Sequence, residues 1–232
     1  MRDTDRELVR GMGLFAGVAP AHFDDLMQAS FLQRFPAGTQ LITEGDPCDF
    51  LHVVVEGCAE LYATAADRQS ALALVEPVGT FILAAVIKDT YYLMSARTVT
   101  RSRILMIPAS RVRAVFAVDH EFARAVVTEL ASAFRTMVRL LKDQKLRTGA
   151  ERLANALLRL HREQEAPKVL TLPIEKRMLA SLLGMTPENL SRAFVALAPF
   201  GVDVDGRDIK ISHPGKLAQF AKPTLLIDAK EP

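Results

Sequence analysis

Tryptophan is absent from this 232-residue chain, tyrosine occurs three times and cysteine only twice. Cys48 and Cys58 are too few for a disulfide framework or for the four thiolates of an iron–sulfur cluster, so ordinary reduced thiols are expected at both. No run is long and apolar enough to span a bilayer, and the opening MRDTDRELVR has no apolar core of the kind a signal peptide carries. A cytoplasmic location without a membrane partner is therefore expected. A Gly-rich phosphate loop, a nucleophile elbow and clustered metal ligands are also missing, so no residue is assigned a catalytic role and an enzyme is not expected. A net excess of either charge is lacking as well, with 29 Lys+Arg against 27 Asp+Glu.

The small basic excess is unevenly placed. From Arg147 onward 13 Lys+Arg face 10 Asp+Glu, a balance of +3, whereas upstream 16 face 17, a balance of −1. A weak attraction for phosphate therefore belongs to the C-terminal third. With half of its residues hydrophobic, the chain is long enough for one large or two modest domains.

The stretch LASLLGMTPENLSR, Leu179 to Arg192, reads as two short helices joined at Gly184. The first is expected over about Pro173 to Leu183, with Ala180 small enough to let a second helix approach. Gly184 suits the left-handed backbone at a helix C-terminus. Thr186 is the expected N-cap, Pro187 fits the first helical position, and Glu188 sits at the positive end of the helix dipole. Glu188, Ser191 and Arg192 then share one face, with Asn189 beside them. Arginine can donate twice to guanine and glutamate can accept from cytosine, so this spacing points to base reading in a major groove.

Upstream, residues 31 to 115 read as short strands punctuated by Pro36-Ala37-Gly38, Glu44-Gly45-Asp46-Pro47, Glu56-Gly57 and Pro77-Val78-Gly79. The runs Leu51 to Val55 and Ala59 to Tyr62 flank Gly57 as a hairpin would, and their apolar side chains imply burial on both faces. Arg6 to Phe15 and His22 to Ala29 suggest short helices, with Ala19-Pro20-Ala21 as a break. From about Ala109 to Leu146 the period becomes helical. Ala123, Val127, Leu130, Phe134, Met137 and Leu141 follow alternating steps of four and three, the seam of a two-stranded coiled coil, so a homodimer is expected. Lys142 to Thr148 is the expected hinge, with Gly149 relaxing the backbone. Near the C-terminus Val202 to Ile211 alternates about Asp205-Gly206, a hairpin.

The order of these parts, with LFAGVAP (Leu14 to Pro20), FPAGTQLITEGDPCDFLHVVVEG (Phe35 to Gly57) and ERLANALLRL (Glu151 to Leu160), resembles the Crp/Fnr superfamily of transcription regulators. The resemblance implies an α+β chain: an effector-sensing β-roll of the cyclic-nucleotide-binding type over residues 1–115, a dimerisation helix and hinge over 116–146, and a winged helix-turn-helix over 147–232. It also implies double-stranded DNA and RNA polymerase as partners and a TTGA-type inverted repeat read by Glu188, Ser191 and Arg192. Pro199 departs from the pattern and should end the recognition helix.

The effector is less legible. Cyclic-AMP-binding relatives carry a Gly-Glu-x-(Ala/Gly)-Leu cassette and then Arg-(Ser/Ala). Here the corresponding residues are Gly79-Thr80-Phe81-Ile82-Leu83, with Tyr92 and Leu93 at the arginine and serine positions. Without that glutamate and arginine a buried phosphodiester lacks its charge-assisted partners. An apolar effector pocket is expected instead from Phe81, Leu83, Tyr91, Tyr92 and Leu93, with Arg97 as a neighbouring cation. The resemblance extends to the nitric-oxide-responsive branch of the superfamily, which implies a small-molecule or gas effector and haem as a cofactor, with His22 or His52 as its axial ligand. Two other readings stay open at this point: a cyclic-nucleotide-responsive regulator, and a sensor subunit that does not bind DNA.

Overall fold

The computed structural model describes residues 3–66, 68–165 and 168–228, and its chain divides into two compact units, Met1–Ala133 and Phe134–Pro232. The N-terminal unit opens with α1 (Asp3–Arg10) and α2 (Pro20–Gln28). Pro20 does not merely break the chain, as its sequence context suggested. It occupies the first helical position of α2, where its missing N–H costs nothing.

Among the described residues, two antiparallel four-stranded sheets follow. One has the order β1 (Phe31–Phe35), β8 (Ser102–Pro108), β3 (Phe50–Glu56), β6 (Gly79–Phe81). The other has the order β2 (Gln40–Ile42), β7 (Ser95–Thr98), β4 (Ala59–Ala65), β5 (Arg68–Val75). The hairpin expected around Gly57 is thus not formed, because β3 and β4 lie in different sheets. Leu51 and Val53 to Val55 are all buried, so β3 needs strand neighbours on both edges and finds β8 and β6. Gly57 makes the crossing at φ +89°, where an added Cβ would lie 2.6 Å from the Arg101 carbonyl oxygen.

The helical stretch after the sheets is interrupted once. Helix α4 (Ala109–Val118) follows β8, and α3 (Leu83–Lys88) packs against it. Asp119 is extended and starts α5 (His120–Leu146) by accepting the Phe122 N–H at 2.9 Å. Its other carboxylate oxygen accepts from the Ala19 N–H (2.9 Å) and from His22 Nδ1 (2.8 Å). Burial alone would raise this carboxyl's pKa, but these bonds outweigh it and hold the group at about 2. Helix α5 buries Phe122 and Val126 in the N-terminal unit.

In the C-terminal unit, α6 (Gly149–Glu163) is followed by β9 (Val169–Thr171), α7 (Lys176–Leu182) and α8 (Pro187–Leu197). Then come β10 (Val202–Asp205), β11 (Asp208–Ile211), α9 (Pro214–Ala221) and α10 (Leu225–Asp228). The sheet order is β10-β11-β9, and Leu153, Leu157, Leu170, Leu172, Leu197, Ile209 and Leu217 make the fully buried core. The expected loosening at Gly149 is not seen. Gly149 is the first residue of α6, behind a capping box in which Thr148 and Glu151 bond reciprocally. The short link is also tied down, since Arg147 forks onto Asp228 (2.6 and 2.8 Å) and reaches Asp143 (2.9 Å).

Candidate nucleic-acid interface

Helix α7 begins later than the proline suggested. Leu172 N–H bonds to the Arg207 carbonyl, which holds the segment against the sheet through Leu172, and helix starts only at Lys176 with Glu175 as N-cap. Its C-terminus is closed by two bonds, Gly184 N–H to Ser181 O and Met185 N–H to Ala180 O, both 2.9 Å. That pair is the Schellman arrangement, and Gly184 sits at φ +63° as the arrangement requires. Thr186 Oγ1 then accepts the Asn189 N–H at 3.3 Å and caps α8, with Pro187 in the first turn. The turn geometry read from the sequence is present in full.

Packing orients α8 without ambiguity. Leu190, Ala193, Phe194 and Leu197 are buried, leaving Glu188, Asn189, Ser191 and Arg192 exposed. Glu188 sits at the helix N-terminus, where its own backbone N–H, the Thr186 hydroxyl and nearby Arg192 lower its pKa. An ionised carboxylate can only accept, which suits a base amine such as N4 of cytosine. Ser191 Oγ donates to the Pro187 carbonyl at 3.0 Å, so its hydroxyl hydrogen is spent inside the helix and it presents acceptor lone pairs outward. Thr186 likewise uses its oxygen for the cap. Arg192 is the cationic donor of this group, beside the neutral amide of Asn189.

Beside this face, a cleft of about 240 Å³ is lined by Lys176 and Arg177 of α7, by Pro187, Leu190, Ser191 and Phe194 of α8, and by Val204 of the hairpin. Lys176 Nζ stands 5.4 Å from the Phe194 ring centre. The two cations line this cleft together with Ser191, and sequence reading missed both because a Lys-Arg pair without a known helix start has no direction. The hairpin tip is different. Asp205 pairs with Asp208, and Arg207 turns back so that Nε and Nη2 both donate to the Leu172 carbonyl. Pro199 does end α8, as expected, passing the chain into a short 3-10 turn at Ala198–Phe200.

The expected effector residues divide between core and surface. Phe81, Leu83 and Tyr92 fill the core of the N-terminal unit, whereas Tyr91 and Leu93 are exposed. Arg97 bonds the buried carboxylate of Glu60 at 2.7 Å and lies 4.7 Å over the Tyr62 ring, so it is committed within its own sheet. Ile82, between Phe81 and Leu83, is held at φ +71°. A β-branched residue there stores on the order of 1–3 kcal/mol of strain. An open cleft of about 560 Å³ lies in this unit between Glu7 and Leu8 of α1, the following Gly11 to Leu14, the segment Val78-Gly79-Thr80 and Glu129 of α5. Its signal in the sequence was partial: Leu14 falls in LFAGVAP and Gly79-Thr80 open the cassette stretch, but nothing marks Glu7, Leu8 or Met12 as lining.

Of the two histidines considered as iron ligands, His22 spends Nδ1 on Asp119 and His52 is sealed at 2% exposure. The thiols are quiet, since burial raises both and pushes Cys58, beside Glu76 and Glu60, to about 11. Among the described residues no cluster of three or more His, Cys, Asp or Glu could hold a metal ion, and no helix is long and apolar enough to cross a membrane. Along α5, Val127, Phe134, Met137 and Leu141 are exposed, while Ala123 and Leu130 are half-buried.

Comparison with known proteins places both halves. Residues 32–119 match the cyclic nucleotide-binding domain and residues 151–220 match the Crp-like helix-turn-helix domain. A CRP-like cAMP-activated global transcriptional regulator of Mycobacterium tuberculosis is 25% identical over 93% of this chain and 99% of its own length. The cyclic AMP receptor protein of Thermus thermophilus is 29% identical over 84% of this chain and 89% of its own. The structure of FixK2 from Bradyrhizobium japonicum shares the fold, with a TM-score of 0.69 at 20% identity over 88% of this chain and 99% of that one. With an N-terminal effector-type domain, a long helix and a DNA-binding hairpin in this order, the chain belongs to the Crp/Fnr family of transcription regulators.

Proposed function

We propose that this protein works in the cytoplasm as a homodimer that reads a TTGA-type inverted repeat through α8 and is switched by a small effector in its N-terminal unit. One observation carries the reading: Glu188, Ser191 and Arg192 stand on the exposed face of a capped helix whose opposite face is buried. In a TTGA half-site the G·C pair offers guanine to Arg192 and the N4 amine of cytosine to Glu188. Lys176 and Arg177 would meet phosphates, which position the helix but do not read sequence. The exposed apolar positions Val127, Phe134, Met137 and Leu141 give α5 a seam for a second copy, and two copies match two half-sites. RNA polymerase is the partner such a DNA-bound dimer would serve.

For the effector, the N-terminal cleft supports a ligand that is not an anion, because Glu7 and Glu129 both line it. Arg97 cannot stand in for the absent cyclic-nucleotide arginine without leaving the buried Glu60 unpaired. Of the two haem-ligand candidates, His52 does not suit the role, because it lies flat on Phe81, 5.0 Å between ring centres, and is closed to solvent. His22 stands at the surface with Nδ1 held by the Asp119 carboxylate, a bond that leaves Nε2 for an iron. Because Glu129 belongs to α5, a ligand in the cleft would bear directly on the helix proposed to pair the subunits.

Fluorescence anisotropy on labelled duplexes tests the DNA assignment. Arg192→Ala should lose about 1–3 kcal/mol on a TTGA-type repeat and relax the preference for guanine, while binding scrambled DNA almost as the wild type does. Equal loss on both duplexes would remove Arg192 from base reading.

A further inference from the structure

Glu188, Ser191 and Arg192 do not complete the exposed face of α8. Val195 lies three residues beyond Arg192, four beyond Ser191 and seven beyond Glu188, so helical periodicity places it among them. It is 75% exposed, more than any other large apolar residue of α8, and the buried positions Leu190, Ala193, Phe194 and Leu197 face the other way. A solitary exposed valine on an ordinary surface calls for no explanation. Here it is the apolar member of a face otherwise made of a carboxylate, a hydroxyl and a guanidinium. Its β-branched side chain has one strongly preferred rotamer in a helix, so its two methyl groups project as a rigid knob.

In the major groove the apolar group offered by a base edge is the C5-methyl of thymine. We infer that Val195 is a specificity-determining residue that packs on a thymine methyl group, adding apolar readout of a T·A pair to the hydrogen-bond readout by Glu188 and Arg192. The inference rests on the proposal that α8 is the recognition helix. Seven residues from Glu188 correspond to about 10 Å along the helix axis, so the thymine lies beyond the base pair that Glu188 reads. Burying one methyl against another is worth roughly a fourfold change in affinity per half-site. Carrying no charge, Val195 contributes nothing to counterion release.

The test uses full-length protein and an inverted-repeat duplex in which each thymine, one symmetric pair at a time, is replaced by deoxyuridine. That replacement removes only the C5-methyl. For the wild type, one such pair should weaken binding roughly tenfold or more, both half-sites contributing. Val195→Ala should bind the all-thymine duplex correspondingly less tightly and lose its response to that same replacement, with an unchanged salt dependence. Alanine keeps the helix, and a thermal melt confirms it. Wild-type indifference to every replacement, or an identical response of wild type and Val195→Ala, would overturn the inference. Failure of the underlying reading looks different: the wild type would not distinguish the TTGA-type repeat from a scrambled duplex.

Discussion

Acidification should destabilise the N-terminal unit through one buried imidazole, His52. His52 lies on β3, opposite Phe81 of β6 and Met106 of β8, with its ring stacked on Phe81 and Phe50 6.4 Å away at its edge. It is 2% exposed and its Nδ1 has no hydrogen-bond partner. Burial lowers its pKa from 6.5 to about 4, opposed by a smaller upward effect of the Phe50 backbone. The folded state therefore keeps this ring neutral, while the unfolded chain takes up a proton below pH 6.5. Proton uptake by the unfolded state alone means that stability falls with falling pH between 6.5 and 4. The loss reaches about 2 kcal/mol at pH 5 and about 3 kcal/mol at pH 4.

The assay follows from composition. There is no tryptophan, and the three tyrosines, Tyr62, Tyr91 and Tyr92, all belong to the N-terminal unit. Tyrosine fluorescence during urea unfolding thus reports that unit alone. His52→Leu also removes the unpartnered nitrogen, whose burial otherwise costs about 1–3 kcal/mol. The stability of wild type relative to His52→Leu should drop by about 2 kcal/mol on going from pH 7 to pH 5. Parallel pH profiles for the two proteins would refute the claim that a neutral, desolvated imidazole is built into β3.

Two further outcomes follow from positions where the geometry leaves little freedom. Gly57→Ala forces a side chain into a left-handed backbone and against the Arg101 carbonyl and the Ser102 Cα, 2.6 and 2.7 Å from the new Cβ. It should cost roughly 2–4 kcal/mol by the same tyrosine-monitored unfolding, and a smaller loss would show that the crossing between sheets relaxes easily. Phe134→Glu puts a charge into the proposed dimer seam at a residue 69% exposed in the single chain. Sedimentation should show monomers with an unchanged melting profile, whereas an intact dimer would move the interface off this face of α5.

Local signals were legible wherever a few neighbouring residues carry the physics. Gly184, Thr186, Pro187 and Pro199 each act through their own backbone or the next turn, and each sits where its chemistry predicts. The hairpin around Gly57 failed because local alternation cannot tell a turn within one sheet from a crossing between two. Asp119 shows the same limit from the other side. Nothing near it in sequence reveals that it binds Ala19 and His22, yet those bonds divide what read as one helix into α4 and α5.

By itself the sequence determined the order of the parts, the capped pair of helices and the residue types offered to DNA, because periodicity, caps and turns are short-range. Tertiary structure alone decided which of those residues are free to act. Packing of Leu190, Ala193, Phe194 and Leu197 turned Val195 outward beside Arg192. The Glu60 carboxylate took Arg97 out of use, and closure of the two sheets drew Phe81, Leu83 and Tyr92 into the core. Burial and pairing are properties of distant residues brought together, and no local pattern encodes them.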